Sequence, residues 1–258
     1  MPNLITYEFS RDWDKLEIYP LNDLHIGDAK TDVVLFQHFK KFILDQENRF
    51  IILNGDLMNN AIKSSVSNVY KETLSPHEQK KWLIRELKPL SHRILAITSG
   101  NHENRTKKEA DVDLMEDIAM ALNLENVYSD ECVFVKVSFG RLKVNQKMST
   151  YVIHAIHGAG GGKMIGSALN NLESYGMSYE GIDIFLMGHV HGRVATRSNK
   201  IIIDPRNNVI YEKEILYVVA SAWQDFGGYA MKNMLRPRCK GKTPISLYGR
   251  EKKFEVII

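Results

Sequence analysis

The chain has 258 residues, 44% hydrophobic and 25% charged, the balance of an ordinary folded, water-soluble protein. Its formal net charge of +3 is too small to announce a nucleic-acid binder, and no apolar run approaches the roughly 18–20 residues of a membrane-spanning helix. Cys132 and Cys239 are the only cysteines and share no metal-ligand spacing, so no disulfide framework is expected and a reducing cytoplasm is the expected compartment. Residues 1–10 lack a basic segment followed by an apolar one, so no secretory signal is expected either.

Residues 16–21 read as a short strand ending at Asp23. Residues 31–46 then carry Val33, Val34, Phe36, Phe39, Phe42 and Ile43 at helical spacing. Residues 50–53 form a continuous apolar run, the mark of a strand buried on both faces, and end at Gly55-Asp56. A polar stretch rich in Ser and Asn, residues 59–74, is long enough to be functional or mobile. Ser75-Pro76-His77-Glu78 predicts a helix start, with a capping serine, a proline at the first helical position and a glutamate three residues on; Pro89 closes that helix. Residues 94–97 are a third buried strand, delivering Gly100-Asn101-His102-Glu103, and a helix is expected over 111–124. This is the strand–helix–strand order of an α/β domain, whose functional loops gather at the carboxyl ends of the strands. In the second half, residues 132–139, 149–156 and 182–187 read as strands, 164–175 as a helix, and 194–203 with 209–222 as a hairpin turning at 204–208. With no repeat, low-complexity tract or linker, one domain spanning 1–258 and built around two sheets is expected.

Five short polar motifs stand where these apolar runs end: Asp23-Leu24-His25, Gly55-Asp56, Gly100-Asn101-His102-Glu103, His157-Gly158 and Gly188-His189-Val190-His191. They offer Asp23, His25, Asp56, Asn101, His157, His189 and His191 as ligands, with His102 left over. Hard oxygen donors mixed with imidazoles suit Mn, Fe, Zn or Ni rather than calcium, and a carboxylate such as Asp56 can bridge two ions. Asp23 and His25 are one residue apart, as are His189 and His191, so along an extended strand end each pair points the same way. Two adjacent divalent ions clamp the attacking and leaving oxygens of a phosphate ester and generate a hydroxide near neutral pH.

The ordered set of motifs resembles the calcineurin-like metallophosphoesterase superfamily, over about two-thirds of the chain. The resemblance implies a four-layer α/β/β/α sandwich of two mixed sheets, with a dinuclear metal site at the carboxyl edge of the strands. It implies that Asp23, His25, Asp56 and His191 hold one ion, and that Asp56, Asn101, His157 and His189 hold the other. It makes His102 the general acid, which protonates the leaving alkoxide as hydroxide attacks phosphorus. Two divalent ions are the expected cofactors, Mn first, with Zn, Fe, Ni or Mg as alternatives. In the protein-phosphatase branch a second acid follows the Gly-Asp motif and orients the catalytic histidine. Here Asn59 stands in that place and no arginine follows, which argues against a Ser/Thr protein phosphatase.

The substrate is less legible. His157-Gly158-Ala159-Gly160-Gly161-Gly162-Lys163 imitates a phosphate-binding P-loop, but the spacing is one residue short and Met164 replaces the required Ser or Thr. Lys163 and Arg105 are candidate phosphate contacts; a plain connection and a solvated turn are their alternatives. Lys232, Arg236, Arg238, Lys240 and Lys242 lie close together near Trp223 and Tyr229, a composition that tracks a nucleic-acid backbone or simply a solvated tail. The chain is similar in look to compact phosphoesterases of bacteria and their phages related to the DNA-repair exonuclease branch, whose capping and tethering regions it lacks room for. The expected activity is a phosphodiesterase acting on nucleic acid or a nucleotide. A phosphomonoesterase or cyclic-nucleotide phosphodiesterase on the same core, or a non-catalytic binding module, are the alternatives. No membrane partner is expected, and the oligomeric state stays open.

Overall fold

A computed structural model of the chain describes residues 4–65, 68–160, 164–232 and 234–258. In chain order the elements are β1 (Leu4–Glu8), β2 (Lys15–Leu21), α1 (Val33–Leu44), β3 (Arg49–Asn54), α2 (Pro76–Leu87), β4 (Ile94–Thr98), α3 (Glu103–Ala110) and α4 (Leu114–Ala121). They continue with β5 (Tyr128–Ser129), β6 (Cys132–Phe139), β7 (Ser149–Ile156), α5 (Ile165–Gly176), β8 (Ile184–Met187), β9 (Val194–Asp204), β10 (Val209–Val219), α6 (Tyr229–Lys232), β11 (Ile245–Tyr248) and β12 (Phe254–Val256). Among the described residues no helix is long and apolar enough to cross a membrane.

The strands form two six-stranded mixed sheets, ordered β12-β11-β2-β3-β4-β5 and β1-β6-β7-β8-β10-β9. In the first, β2, β3, β4 and β5 run parallel, and β11 joins β2 antiparallel. In the second, β7, β8 and β10 run parallel; of these seven strands, β2, β3, β4, β7 and β8 lead at their carboxyl ends into the five polar motifs. The apolar runs of β3 and β4 are buried on both faces because each face meets a different layer. Ile18, Phe50, Ile52 and Leu95 face the other sheet's Val135, Tyr151, Ile153, Ile184 and Val218. On the opposite face Ile51, Leu53 and Ile97 meet Phe36, Phe39, Leu83, Leu87 and Ile118 from α1, α2 and α4. Leu172 of α5 packs with Phe185 and Tyr217 on the far side of the second sheet. The α/β/β/α layering therefore follows from which stripe of each helix is apolar.

Helix α2 starts as its sequence dictates: the Ser75 hydroxyl accepts from the Glu78 amide, and the Glu78 carboxylate accepts from the Ser75 amide. The helix expected over 111–124 is shorter, and a second helix precedes it. Asp111 in the left-handed conformation (φ 53°) ends α3, and the Asp113 carboxylate caps α4 by accepting from the Met115 and Glu116 amides. Helix α3 has no apolar periodicity (Glu-Asn-Arg-Thr-Lys-Lys-Glu-Ala), which is why its pattern reads as loop.

Helices α1 and α2 are tied by one carboxylate. Glu86 accepts from Gln37 Nε2 (2.9 Å), Lys40 Nζ (3.0 Å) and Arg85 Nε (3.0 Å). Burial pushes its carboxyl up, but the three donors outweigh burial and hold it at about 2, below its ordinary 4.5. A depressed folded pKa means the stabilisation is present above about pH 4.5 and is lost as pH falls from there toward 2. Glu86→Gln is expected to lower stability by about 1 kcal/mol at pH 7, given the partial exposure of the pair, with the gap to wild type closing in that acid window. Urea unfolding of both proteins across pH reads this directly.

Candidate metal centre

The five motifs meet at the shared edge of the sheets. Asp23 and His25 follow β2, Asp56 follows β3, Asn101 and His102 follow β4, His157 follows β7, and His189 and His191 follow β8. The loops are stitched by main-chain hydrogen bonds: Asp23 N to Gly55 O (3.1 Å), His25 N to Asp56 O (3.0 Å) and Gly188 N to His157 O (3.1 Å). Gly55 and Gly100 lie back to back. A Cβ on Gly55 would stand 2.7 Å from Gly100 Cα, and one on Gly100 would stand 2.2 Å from Asp56 Oδ1. Only glycine permits that approach.

Asp23 with His25, and His189 with His191, do not lie on extended strand ends. Asp23 (φ 50°), His25 (φ 50°), Asp56 (φ 52°), His189 (φ 67°) and His191 (φ 53°) all occupy the left-handed region. The side chains converge because the backbone coils past each strand end, not because an extended strand alternates. Such non-glycine positions are costly and persist only where surrounding contacts hold them, as they do at functional sites.

Three overlapping donor groups result, each with its ligand atoms within 4.8 Å of one another: Asp23, His25 and His191; His25, Asp56 and His102; and Asp56, His157 and His189. Asp56 Oδ2 lies 3.2 Å from His157 Nε2, 3.8 Å from His102 Nε2 and 4.0 Å from His25 Nε2. Asp23 Oδ1 lies 3.4 Å from His191 Nε2 and 3.8 Å from His25 Nε2. Asn101 Oδ1 is 2.8 Å from His189 Nδ1 and 3.2 Å from His157 Nε2. Asp23, His25, Asp56 and His157 are buried, while Asn101 is exposed, so the site opens to solvent on the Asn101 side.

Neighbouring groups fix the orientation of these donors. His157 Nδ1 pairs with the Asn54 carbonyl (2.8 Å), which turns Nε2 into the site. Asp23 Oδ2 accepts from the His189 amide (2.9 Å) and the Asn22 side chain (2.5 Å). Glu103, to which the sequence reading gave no role, is buried and accepts from the amides of Asp56 (3.0 Å), Met58 (2.8 Å) and Gly100 (3.0 Å), clamping two of the motif loops together. A glutamate fixed three residues after a glycine at a strand end is the one sequence signal for it. Burial and the Asp56 charge push Glu103 up to about 7.

The electrostatics are those of a tightly packed mixed-charge cluster. Burial raises the Asp56 carboxyl, but His157, His102 and His25 outweigh it and hold Asp56 well below the carboxylate range; Asp23 is lowered in the same way, chiefly by His191. Burial opposes charge on His157, yet Asp56 lifts it to about 10. His25 is pushed far down by burial and by the facing His102 and His191. The donor set fits divalent ions on a direct observation: Asp23 Oδ1 is buried among imidazole nitrogens with no hydrogen-bond donor. A buried carboxylate oxygen left so is costly unless a cation meets it.

His102 stands beside this cluster. Its Nδ1 meets the main-chain carbonyl of Asn59 (2.8 Å), leaving Nε2 toward Asp56. The Asn59 side chain instead donates to Glu72 Oε1 (2.5 Å), so residue 59 orients the histidine through its backbone. Burial and Arg105 lower the His102 pKa, against Asp56 and the Asn59 carbonyl, which raise it. Arg105 is not on a solvated turn: it lies on α3, half-buried, with Nη1 donating to the same Asn59 carbonyl (3.1 Å). Lys163 lies outside the described residues.

Beside the basic C-terminal segment Trp223 offers no exposed ring for stacking. Trp223 is fully buried, packed on Phe39 with ring centroids 4.8 Å apart, and its amide donates to Asp23 O (3.1 Å); it is a core residue beneath a ligand loop. Lys240 is held by Asp32 and Asp225, and Lys242 lies over the Phe42 ring at 3.5 Å. Arg238 reaches the site from behind, packing against Gly192 and donating to the Val190 carbonyl between the two histidines of that loop.

Comparison with known proteins gives the family. Similar solved structures include a conserved uncharacterized protein, a predicted phosphoesterase, from Streptococcus pneumoniae (13% identity, 95% of this chain, 90% of that chain, TM-score 0.40). Others are Vps29 of Chaetomium thermophilum (10% identity, 96% of each chain, TM-score 0.40) and GAP50 of Plasmodium, an anchor in the inner membrane complex (11% identity, 95% and 85%, TM-score 0.40). No curated protein matches the sequence. The family model for calcineurin-like phosphoesterases matches residues 17–193, more than half of the chain and all five motifs, and the protein belongs to the calcineurin-like phosphoesterase family.

Proposed function

We propose that the protein is a dinuclear metal-dependent phosphodiesterase acting on nucleotide-class esters. In this reading Asp23, His25, Asp56 and His191 hold one divalent ion, and Asp56, Asn101, His157 and His189 hold the second, with Mn as the first candidate. The ions would polarise the phosphoryl oxygens and activate water. The observation that carries the reading is the overlap of the donor groups at Asp56, which belongs to two of the three.

The chain's own residues supply the rest. Glu103 fixes the Asp56 and Gly100 loops by its three amide contacts. The Asn59 carbonyl holds the His102 ring with Nε2 toward the reacting centre, where it delivers a proton to the departing alkoxide. An approaching phosphate dianion or monoanion favours the charged imidazolium and offsets the lowering by burial and Arg105. Arg105, on the helix that follows His102, is the candidate for a phosphate oxygen. The internal engagement of Lys240 and Lys242, and the burial of Trp223, favour a small ester over a long strand laid along 232–242.

The test is a Mn-supplemented hydrolysis panel with His102→Ala as control, comparing bis-p-nitrophenyl phosphate, p-nitrophenyl phosphate, cyclic nucleotides, dinucleotides, and single- and double-stranded DNA and RNA. Turnover of diesters and small nucleotides, lost for nucleotides in the variant, is the expected result. Turnover of the monoester alone would overturn the diesterase reading.

A further inference from the structure

A pocket of about 390 Å³ opens directly beside the candidate metal centre, and Asn101 and His157 belong to its wall. That volume lies near the lower end of the roughly 300–1,000 Å³ typical of small-molecule sites, enough for one ring system but not for a polymer. Ile156 at the end of β7 and Tyr175 of α5, both half-buried, give it apolar surface, backed by the buried Leu172 and Met187. Among the described residues its lining includes two carboxylates, Asp130 and Glu131, and two side-chain amides, Asn104 and Asn171, and no lysine or arginine. Asp130 is neutralised by Lys107 Nζ at 2.6 Å, a lysine that also holds Asp113 at 2.9 Å. Glu131 is exposed and makes no ion pair among the described residues. The Asn104 amide oxygen accepts from the Ser99 hydroxyl (3.2 Å), which leaves its NH₂ group to donate.

These features select a ligand chemistry. A carboxylate only accepts hydrogen bonds, so Glu131 repels a second phosphate and attracts an N–H donor. The free NH₂ group of Asn104 can donate to a ring nitrogen, while a carboxylate such as Glu131 takes the exocyclic amino group of adenine or cytosine. A flat heterocycle would lie against Ile156 and Tyr175. Because the pocket shares Asn101 and His157 with the donor cluster, a ring seated there and a phosphate at the centre can belong to one molecule.

We propose that this pocket, lined by Ile156 and Tyr175 and by Glu131 and Asn104, seats an amino-bearing nucleobase of the substrate and sets its specificity. The proposal rests on the nucleotide-ester reading above and adds to it a base preference and the residues that impose it. Ala159 is exposed on the pocket lip, so a large side chain there fills the pocket without touching the core.

The experiment is equilibrium binding of AMP, CMP and UMP to the Mn-loaded protein by calorimetry, with inorganic phosphate and ribose 5-phosphate as base-free probes. AMP and CMP are expected to bind at least tenfold tighter than UMP, ribose phosphate or phosphate. Glu131→Ala and Ala159→Trp are each expected to erase that advantage and leave phosphate affinity within twofold of wild type. Equal affinity for all five probes, or a preference that survives in both variants, would overturn the proposal. Hydrolysis of bis-p-nitrophenyl phosphate, which has no base, is followed on the same samples to separate the two readings. Base discrimination without diester turnover defeats the diesterase reading and upholds the pocket; turnover without discrimination defeats the pocket alone.

Discussion

Asp56→Asn is expected to lower kcat/KM on bis-p-nitrophenyl phosphate by about a thousandfold or more, roughly 4 kcal/mol of transition-state stabilisation, and to take bound metal from two ions per chain to at most one. Asp56 is buried, and its Oδ2 lies within 4.0 Å of the Nε2 atoms of His157, His102 and His25. It is the one carboxylate shared between donor groups that together include both sides of the cluster. Asparagine keeps the volume and the oxygen that accepts from the His102 amide at 2.8 Å, but removes the charge two cations would share. The prediction is checked by metal analysis together with steady-state kinetics, and by circular dichroism to confirm that the variant folds. Two tightly bound ions and near-normal turnover in the variant would remove Asp56 from its bridging role.

His102→Ala is expected to behave differently. Turnover of a nucleotide ester should fall by about a hundredfold to ten-thousandfold, the range of general acid catalysis, with metal content unchanged and KM little affected. The imidazole is held by the Asn59 carbonyl at 2.8 Å and stands 3.8 Å from Asp56, close to the reacting centre yet outside the two four-residue ligand sets proposed here. In the proposed mechanism it protonates an alkoxide, so the loss should shrink on p-nitrophenyl esters, whose leaving group departs without a proton. The ratio of the two losses separates a proton donor from a ligand: loss of metal in His102→Ala, or an equal loss on both ester types, would argue for a ligand role instead.

Much of the architecture is written in the apolar runs. Residues 132–139 and 149–156 read as strands and form β6 and β7 over the same bounds, because alternation with one face on the core is a local signal. What escaped was built from distant or polar contacts. Strand β11 is the four-residue run Ile245–Tyr248, which becomes a strand only by pairing with β2, more than two hundred residues earlier. Helix α3 hides because its stabilising contacts are polar: the Glu103 carboxylate on three amides, and Thr106 with Asn60. The seven ligand candidates were legible as types in order, whereas their left-handed backbone was not, since no residue type in Asp-Leu-His or His-Val-His announces a positive φ. Trp223 shows the opposite limit. Composition sets it beside a basic run, and only the packing on Phe39 reveals a core residue.

The most direct measurement is a titration of chelator-stripped protein with Mn²⁺, following bound metal and bis-p-nitrophenyl phosphate hydrolysis in the same samples. No hydrolysis is expected in the stripped protein, followed by a rise that saturates as the second ion binds. Full activity without metal, or two bound ions with no hydrolysis of any phosphate ester, would contradict the dinuclear reading.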